Sequence, residues 1–536
     1  MSIHLHELAV TTTGRALVDV TDLQLHRGRP VTIVGESGSG KSLLAHAVMG
    51  TLAPELQVRG SMTLDGQYLD LAHRATRRRL WGRTLALLPQ EPVLALDPTM
   101  RVGGQVAEGA ATWRTDRRQA RTASSALLAR LGLGGEVRAF PHTLSGGMAQ
   151  RVAFAAATIG GAPVLIADEP SKGLDELARA ELAALLRHHV ETDGVLLTIT
   201  HDLDLARTLG GDVLVMKDAL VVERGPADEV LDHPRHPYSR RLLAAEPSRW
   251  SHPWMRQHPT HTTTAGGRGG SRDPDAVLIT GAGLGKSLAG KTLFHDLDIT
   301  VTAGERLALT GPSGSGKTTL GNVLLRLLPP DTGRVEHSPA LAGGRLQKLY
   351  QDPAQAFPAR VPLRSAFGDV IRRHRCDPRH LDTLLGTLRL AHDLLARRPG
   401  QVSGGELQRL AIIRAVLLAP TLLFADEPTS RLDLITQEET VRCLMDQVDD
   451  TDCALVLVTH DQALATAVTG RRLTLHPSDT VSTGTTEATH PRYTAAGTGS
   501  AVAPVPQDLP GGRPRTGAPT GTRLGPGPTR RWRTSC

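Results

Sequence analysis

Aromatic side chains are scarce. Phe, Trp and Tyr make up 3% of the 536 residues, so the cores must be built almost wholly from the aliphatic part of the 40% apolar fraction. Cysteine is scarcer still, and its four copies (Cys376, Cys443, Cys453, Cys536) form no CxxC pair. That spacing excludes a disulfide framework and a zinc ribbon and fits a reducing cytosol. Long apolar runs are missing, and the opening MSIHLHELAV has no basic stretch leading into an apolar block, so a soluble chain without membrane spans is expected. A strong charge imbalance is missing too. Lys and Arg number 61 against 54 Asp and Glu, and 7 − 3 = +4 of the +7 excess lies beyond residue 476. The nearly neutral remainder argues against a continuous basic face, so no nucleic-acid partner is expected.

At this length two or more domains are expected, and repeats reveal them. GESGSGKS (35–42) returns as GPSGSGKT (311–318), and LSGGMAQR (144–151) as VSGGELQR (402–409). VLIADEP (164–170) returns as LLFADEP (422–428), and TITHD (198–202) as LVTHD (457–461). The offset is 276 residues at the lysines and 258 at the serines, so the second copy has lost 18 residues between them. Fifteen of these fall between the lysine and the glutamine of each copy, because Lys41 to Gln90 spans 49 residues and Lys317 to Gln351 spans 34.

Each copy reads as α/β. PVTIVG and RLALTG are short apolar runs ending in a glycine loop that leads into a helical pattern. VLIA, VLLTIT, LLFA and ALVLVT are almost continuously apolar, as central strands of a mainly parallel sheet are. Segments 101–143 and 361–400 lack such strands and read as helices. The expected boundaries are a first domain with a C-terminal extension over 1–246, a flexible linker over 247–272, a second domain over 273–485, and a disordered basic tail over 486–536.

GxxxxGK[ST] between a strand and a helix is a phosphate loop. Its glycines let successive backbone N–H groups point at negative charge. The candidate phosphate binders are Gly35, Ser37, Gly38, Gly40, Lys41 and Ser42, and in the second copy Gly311, Ser313, Gly314, Gly316, Lys317, Thr318 and Thr319. Lys41 and Lys317 would reach the β and γ phosphates, and Ser42 and Thr318 would ligate Mg²⁺. Asp168 and Asp426 end apolar strands where a carboxylate can hold Mg²⁺, and Glu169 and Glu427 follow as candidate general bases. An isolated Asp-Glu pair is usually a solvated turn. Here each pair follows its SGG serine by 23 residues, which favours catalysis. Ser145, Gly146 and Gly147, with Ser403, Gly404 and Gly405, offer a second anion site at a helix start. His201 and His460 lie 32 and 33 residues beyond the glutamates, as γ-phosphate contacts would.

The ordered set of P-loop, glutamine, SGG block, ADEP and TH resembles the ATP-binding cassette (ABC) ATPases over nearly all of residues 1–485. The resemblance implies two tandem P-loop ABC domains, each a mainly parallel sheet core with a helical subdomain, that bind ATP and Mg²⁺ and hydrolyse ATP. It implies a head-to-tail pair in which Lys41, Ser42, Asp168, Glu169 and His201 face Ser403 and Gly405. The mirror site would set Lys317, Thr318, Asp426, Glu427 and His460 against Ser145 and Gly147. It makes Gln90 and Gln351 the Q-loop glutamines, touching Mg²⁺ or the attacking water, and Asp175 and Asp433 the D-loop aspartates. The pattern departs from the family at one point: residues 6–20 and 276–290 hold no aromatic to stack on adenine, so weak discrimination against other bases is expected.

Tandem cassettes without membrane spans also serve as ribosome-associated translation factors, whose linker is a long charged helix. Here the linker is short and broken by Pro and Gly. VVERGPADEVLDHPRHPYSRRLLAAEP (221–247) is instead similar to the C-terminal extension of the peptide and nickel importer ATPases, and QDPAQAFPARVPLRSAFGDVI (351–371) to their Q-loop segment. The implied partners are two integral membrane permease subunits and, through them, an extracytoplasmic solute-binding protein, with the chain peripheral on the cytoplasmic face. The implied cargo is a di- or oligopeptide, nickel or a metal chelate. The linker histidines His252, His258 and His261 lack accompanying acidic or cysteine ligands and read as solvated.

Overall fold

The computed structural model describes residues 2–251, 276–288, 290–430, 432–476 and 482–485. Five runs are buried along their whole length: Val31–Gly35, Val164–Asp168, Val195–Ile199, Leu422–Asp426 and Ala454–Val458. Strands this apolar must be covered on both faces, and the parallel pairing of Val31 with Leu197, Val164 with Val195 and Leu422 with Ala454 puts them at the sheet centres. In the first copy the order is Leu85–Leu88, Val164–Asp168, Val195–Ile199, Val31–Gly35, Asp212–Lys217, Leu220–Pro226. The second copy repeats it with Leu346–Leu349, Leu422–Asp426, Ala454–Val458, Arg306–Thr310, Arg471–Thr474, Ser482–Thr485. The repeat seen in the motifs is therefore a repeat of topology.

The helical expectation for 101–143 and 361–400 holds. Val102–Glu108 and Arg117–Arg130 precede the helix Gly146–Thr158, and Leu363–His374 and Pro378–Thr387 precede Gly404–Val416. The shortening of the second copy also has a structural form. The first copy follows Gln57–Leu64 with a strand, Gln67–Asp70, and a helix, Arg74–Arg78, whereas the second passes from Thr332–His337 through one 3-10 turn to Leu346–Leu349. No helix among the described residues is long and apolar enough to cross a membrane.

The segment after the first copy joins the two halves. On the helix Pro237–Ala244, the Tyr238 hydroxyl accepts a hydrogen bond from the Glu36 backbone N–H at 3.0 Å, beside the first phosphate loop. Leu242 and Leu243 share a buried cluster with Leu434 of the second copy, and Arg241 pairs with Glu438. Glu246 holds Arg207 through both carboxylate oxygens, at 2.6 and 2.8 Å. Of the expected linker, Pro247–Arg249 form a 3-10 turn, and Trp250, 5% exposed, packs into the core of the second copy. Residues 252–272, with all three linker histidines, and the expected tail from 486 onward lie outside the described residues.

Packing differs between the copies by compensation. Phe424 stands where the first copy has Ile166, and Gly321 stands where it has Ala45. A β-carbon on Gly321 would overlap the Phe424 ring, so the larger strand residue requires the smaller helix residue. Gly321→Ala is expected to destabilise the second copy by about 1–3 kcal/mol, and adding Phe424→Ile to recover most of the loss. Chemical denaturation of the full chain measures both; an unchanged midpoint for Gly321→Ala would contradict this packing.

Candidate functional site

The phosphate loops sit where a parallel strand must turn into a helix. Gly35, Gly38 and Gly40 have φ of 153°, 83° and 100°, and Gly311, Gly314 and Gly316 have 136°, 74° and 97°. These are backbone states that side chains resist. A β-carbon on Gly35 would also strike the Met216 carbonyl, and one on Gly311 the Leu475 carbonyl. The loops thus lie tight against the backbone of the neighbouring strand. Lys41 Nζ donates to the Gly35 and Glu36 carbonyls at 2.8 and 2.7 Å, and Lys317 Nζ to those of Gly311 and Pro312, both at 2.8 Å. Burial draws both ammonium groups below the ordinary lysine range, against the pull of the nearby carboxylates.

The next helix residue reaches the strand-end aspartate in each copy. Ser42 Oγ donates to Asp168 Oδ1 at 2.9 Å, and Thr318 Oγ1 to Asp426 Oδ1 at 3.0 Å. A hydroxyl and a carboxylate converging beside a phosphate loop form the all-oxygen donor set a hard cation such as Mg²⁺ takes, so the residues fit that ion. Burial pushes both aspartates up. The following glutamates shift the other way. Burial pushes Glu169 up, but the 2.7 Å contact with His201 Nδ1 and the charges of His201 and Lys41 outweigh it and hold the carboxyl low. Glu427 is held low against burial by His460 at 3.2 Å, by Lys317 and by Gln351, whose Nε2 donates to Oε2 at 2.9 Å. Burial alone would lower His201, yet Glu169 leaves it raised. The adjacent carboxylates of each pair are thus shifted in opposite directions. Both glutamates also sit at left-handed φ, 46° and 45°, a strained state for a side chain that recurs at functional sites.

The two halves meet at these loops. Asp433 Oδ2 accepts from the Ser37 amide at 3.3 Å, and Asp175 Oδ2 from the Ser313 amide at 2.8 Å. Each aspartate also caps its own helix, through Ala178 N and Thr436 N. Gly147 packs so closely on Ala178 that a β-carbon would crowd it, and Gly405 lies against Thr436 and Leu432. The SGG turn of each copy is thereby tied to the aspartate that touches the other copy's phosphate loop. Ser145 and Ser403 act as N-caps of their helices, accepting from Met148 N and Glu406 N at 3.3 Å, with Gly146 and Gly404 as first helical residues. A cavity of about 340 Å³ between the aspartate loops is lined by His201 of one half and by Glu427 and His460 of the other.

The model of the ABC transporter family matches residues 18–172 and 294–430. This chain belongs to that family. It is an ABC ATPase of the transport class. The peptidoglycan transport ATP-binding protein YejF of Agrobacterium fabrum is 31% identical over 511 residues, spanning 90% of this chain and 91% of that protein. The glutathione import ATP-binding protein GsiA of Escherichia coli K12 is 30% identical over 526 residues, 88% of this chain and 83% of that one. Among solved structures, an RNase-L Inhibitor shares the tandem-cassette fold with a TM-score of 0.59 at 21% identity over 88% of each chain.

Two features of this ABC ATPase escaped the sequence. One is Tyr238 against the first phosphate loop. The other is Lys348, whose ammonium lies 3.6 Å from Asp426 Oδ2 and donates to Asn322 Oδ1 at 2.7 Å. The first copy has Leu87 and His46 at these places, the His46 ring 3.9 Å from Asp168. A lysine in the edge strand LQKL, where the first copy reads LALL, was the available signal. Its fixed positive charge competes with a cation for Asp426. With Asp168→Asn silencing the first site, Lys348→Leu is expected to tighten Mn²⁺ binding by the nucleotide-loaded chain about tenfold, read from the free-ion EPR signal. Unchanged or weaker binding would mean that Lys348 serves the phosphates instead.

Proposed function

We propose that the chain energises an importer of short peptides or peptide-bearing compounds, with two competent ATP sites built across its paired halves, 1–246 and 273–485. The observation that carries this reading is reciprocal: the aspartate of each half reaches the phosphate-loop amide of the other. In this reading one ATP lies among Gly35, Ser37, Gly38, Gly40, Lys41 and Ser42 and faces Ser403, Gly404 and Gly405. The other lies among Gly311, Ser313, Gly314, Gly316, Lys317, Thr318 and Thr319 and faces Ser145, Gly146 and Gly147. Asp168 with Ser42 and Gln90, and Asp426 with Thr318 and Gln351, would hold Mg²⁺, which supplies charge neutralisation at the phosphates. Glu169 and Glu427, ionised at neutral pH, take the proton of the attacking water, while His201 and His460 fix each carboxylate and contact the terminal phosphate.

Relatives similar along almost the whole chain are described as peptidoglycan and glutathione transport proteins, and both cargoes contain amide-linked amino acids. That favours peptide-type cargo over nickel or a metal chelate. Membrane partners find a surface at the Q-loops. The helix Pro92–Ala95 leaves Val93 and Leu94 exposed, Leu94 by 79%, where importer ATPases of this family receive a helix of the permease. The second copy presents a different segment, Pro353–Ala356, so two non-identical permease subunits are expected, with a solute-binding protein beyond them and the chain peripheral on the cytoplasmic face. Affinity capture from membranes with the Glu169→Gln/Glu427→Gln chain and ATP should recover two integral membrane proteins, and Leu94→Asp should release at least one. Recovery of ribosomes without membrane proteins would overturn the importer reading in favour of a translation factor.

A further inference from the structure

Alternation along the first strand, Ser2–Thr12, sends Ile3 and Leu5 into the core and leaves His4 and His6 half-buried on the opposite face. The neighbouring strand, Arg15–His26, pairs Asp22 directly with His6 and Gln24 directly with His4. Two imidazoles and a carboxylate therefore converge on one patch of the sheet. One ligand atom from each of His4, His6 and Asp22 lies within 4.8 Å of the others. The His4 and His6 ring centroids are 3.5 Å apart, and His4 Nε2 contacts Asp22 Oδ1. The other carboxylate oxygen, Oδ2, is 3.6 Å from Arg224, an outer contact of the kind that orients a ligating carboxylate. Gln24 reaches within 3.4 Å of His4 Nε2 and places an amide at the edge of the cluster.

None of these groups belongs to the nucleotide machinery, and His4 and Asp22 lie toward the open end of the hairpin, away from its turn at Thr12–Arg15. We propose that His4, His6 and Asp22 form a binding site for a borderline divalent transition metal, Zn²⁺ in the first instance. The donor set selects the class. Imidazole nitrogen with one carboxylate oxygen suits Zn²⁺, Ni²⁺ or Cu²⁺, whereas Mg²⁺ and Ca²⁺ take oxygen-only sets. Three protein ligands leave a fourth tetrahedral position for water or the Gln24 amide. The ion would clip the first two strands of the sheet together across their shared register.

Zn²⁺ titration of the full-length chain in excess Mg²⁺ tests this, with Co²⁺ absorption as a second readout of tetrahedral nitrogen–oxygen ligation. The wild-type chain should take up one more tightly held Zn²⁺ than His6→Ala or the isosteric Asp22→Asn, whose affinity at that site should fall at least about a hundredfold. ATP hydrolysis by Asp22→Asn should be unchanged, showing that the loss is not one of folding. The extra Zn²⁺ should persist when His252, His258 and His261 are replaced by alanine. Equal stoichiometry and affinity in wild type and Asp22→Asn, displacement by Mg²⁺, or loss of the ion only with the linker histidines would each overturn the proposal.

Discussion

Each phosphate loop is completed from across the interface by a single carboxylate. Asp433 accepts from Ser37 N and Asp175 from Ser313 N, so the outward-pointing amides that make such a loop attract anions are engaged by the opposite half. Everything else arranges itself around that exchange. The aspartates can reach because each caps a helix, and each helix packs against the SGG turn of its own copy. Signature turn, capped helix and aspartate therefore form one connected unit in each half, and that unit ends on the phosphate loop of the other half. Covalent fusion makes the pairing intramolecular and so raises the effective concentration of each half for the other.

The two sites are equivalent in plan and unequal in detail. The Glu427 carboxylate is hydrogen-bonded by both His460 and Gln351, whereas the Glu169 carboxylate is hydrogen-bonded by the ring and backbone N–H of His201. Asp426 shares its carboxylate with Lys348, where the first site sets the more distant His46. The segment from Pro237 to Trp250 braces the first phosphate loop through Tyr238 and pins the halves through Arg241 and Trp250.

Much of this was legible in the sequence. Repeated motifs at matched spacing located both phosphate loops, both Asp-Glu pairs and both histidines, because this chemistry demands fixed residue types at the ends of buried strands. The parallel core was legible for the same reason: VLIA and LLFA have no polar face to expose. Contacts between distant segments were legible only through the family resemblance. Ser37 and Asp433 are 396 residues apart, and their meeting followed from the implied head-to-tail pairing of D-loop aspartates, not from any local pattern. Tyr238 was visible only as part of a Pro-rich extension, and the start of the expected linker proved to contain the buried Trp250. His4 and His6 stood in plain view as HLH, yet their partner Asp22 comes from strand register, which the opening residues alone do not reveal.

The claim that each site is shared between halves is tested most directly by where an aspartate substitution is felt. Photolabelling of Asp175→Ala with an azido-ATP, followed by peptide mapping, separates the two phosphate loops. Loss of labelling at the second loop, around Ser313 and Lys317, with the first loop unaffected, is the result that reciprocal completion predicts. Loss confined to the first loop, around Ser37 and Lys41, would contradict it.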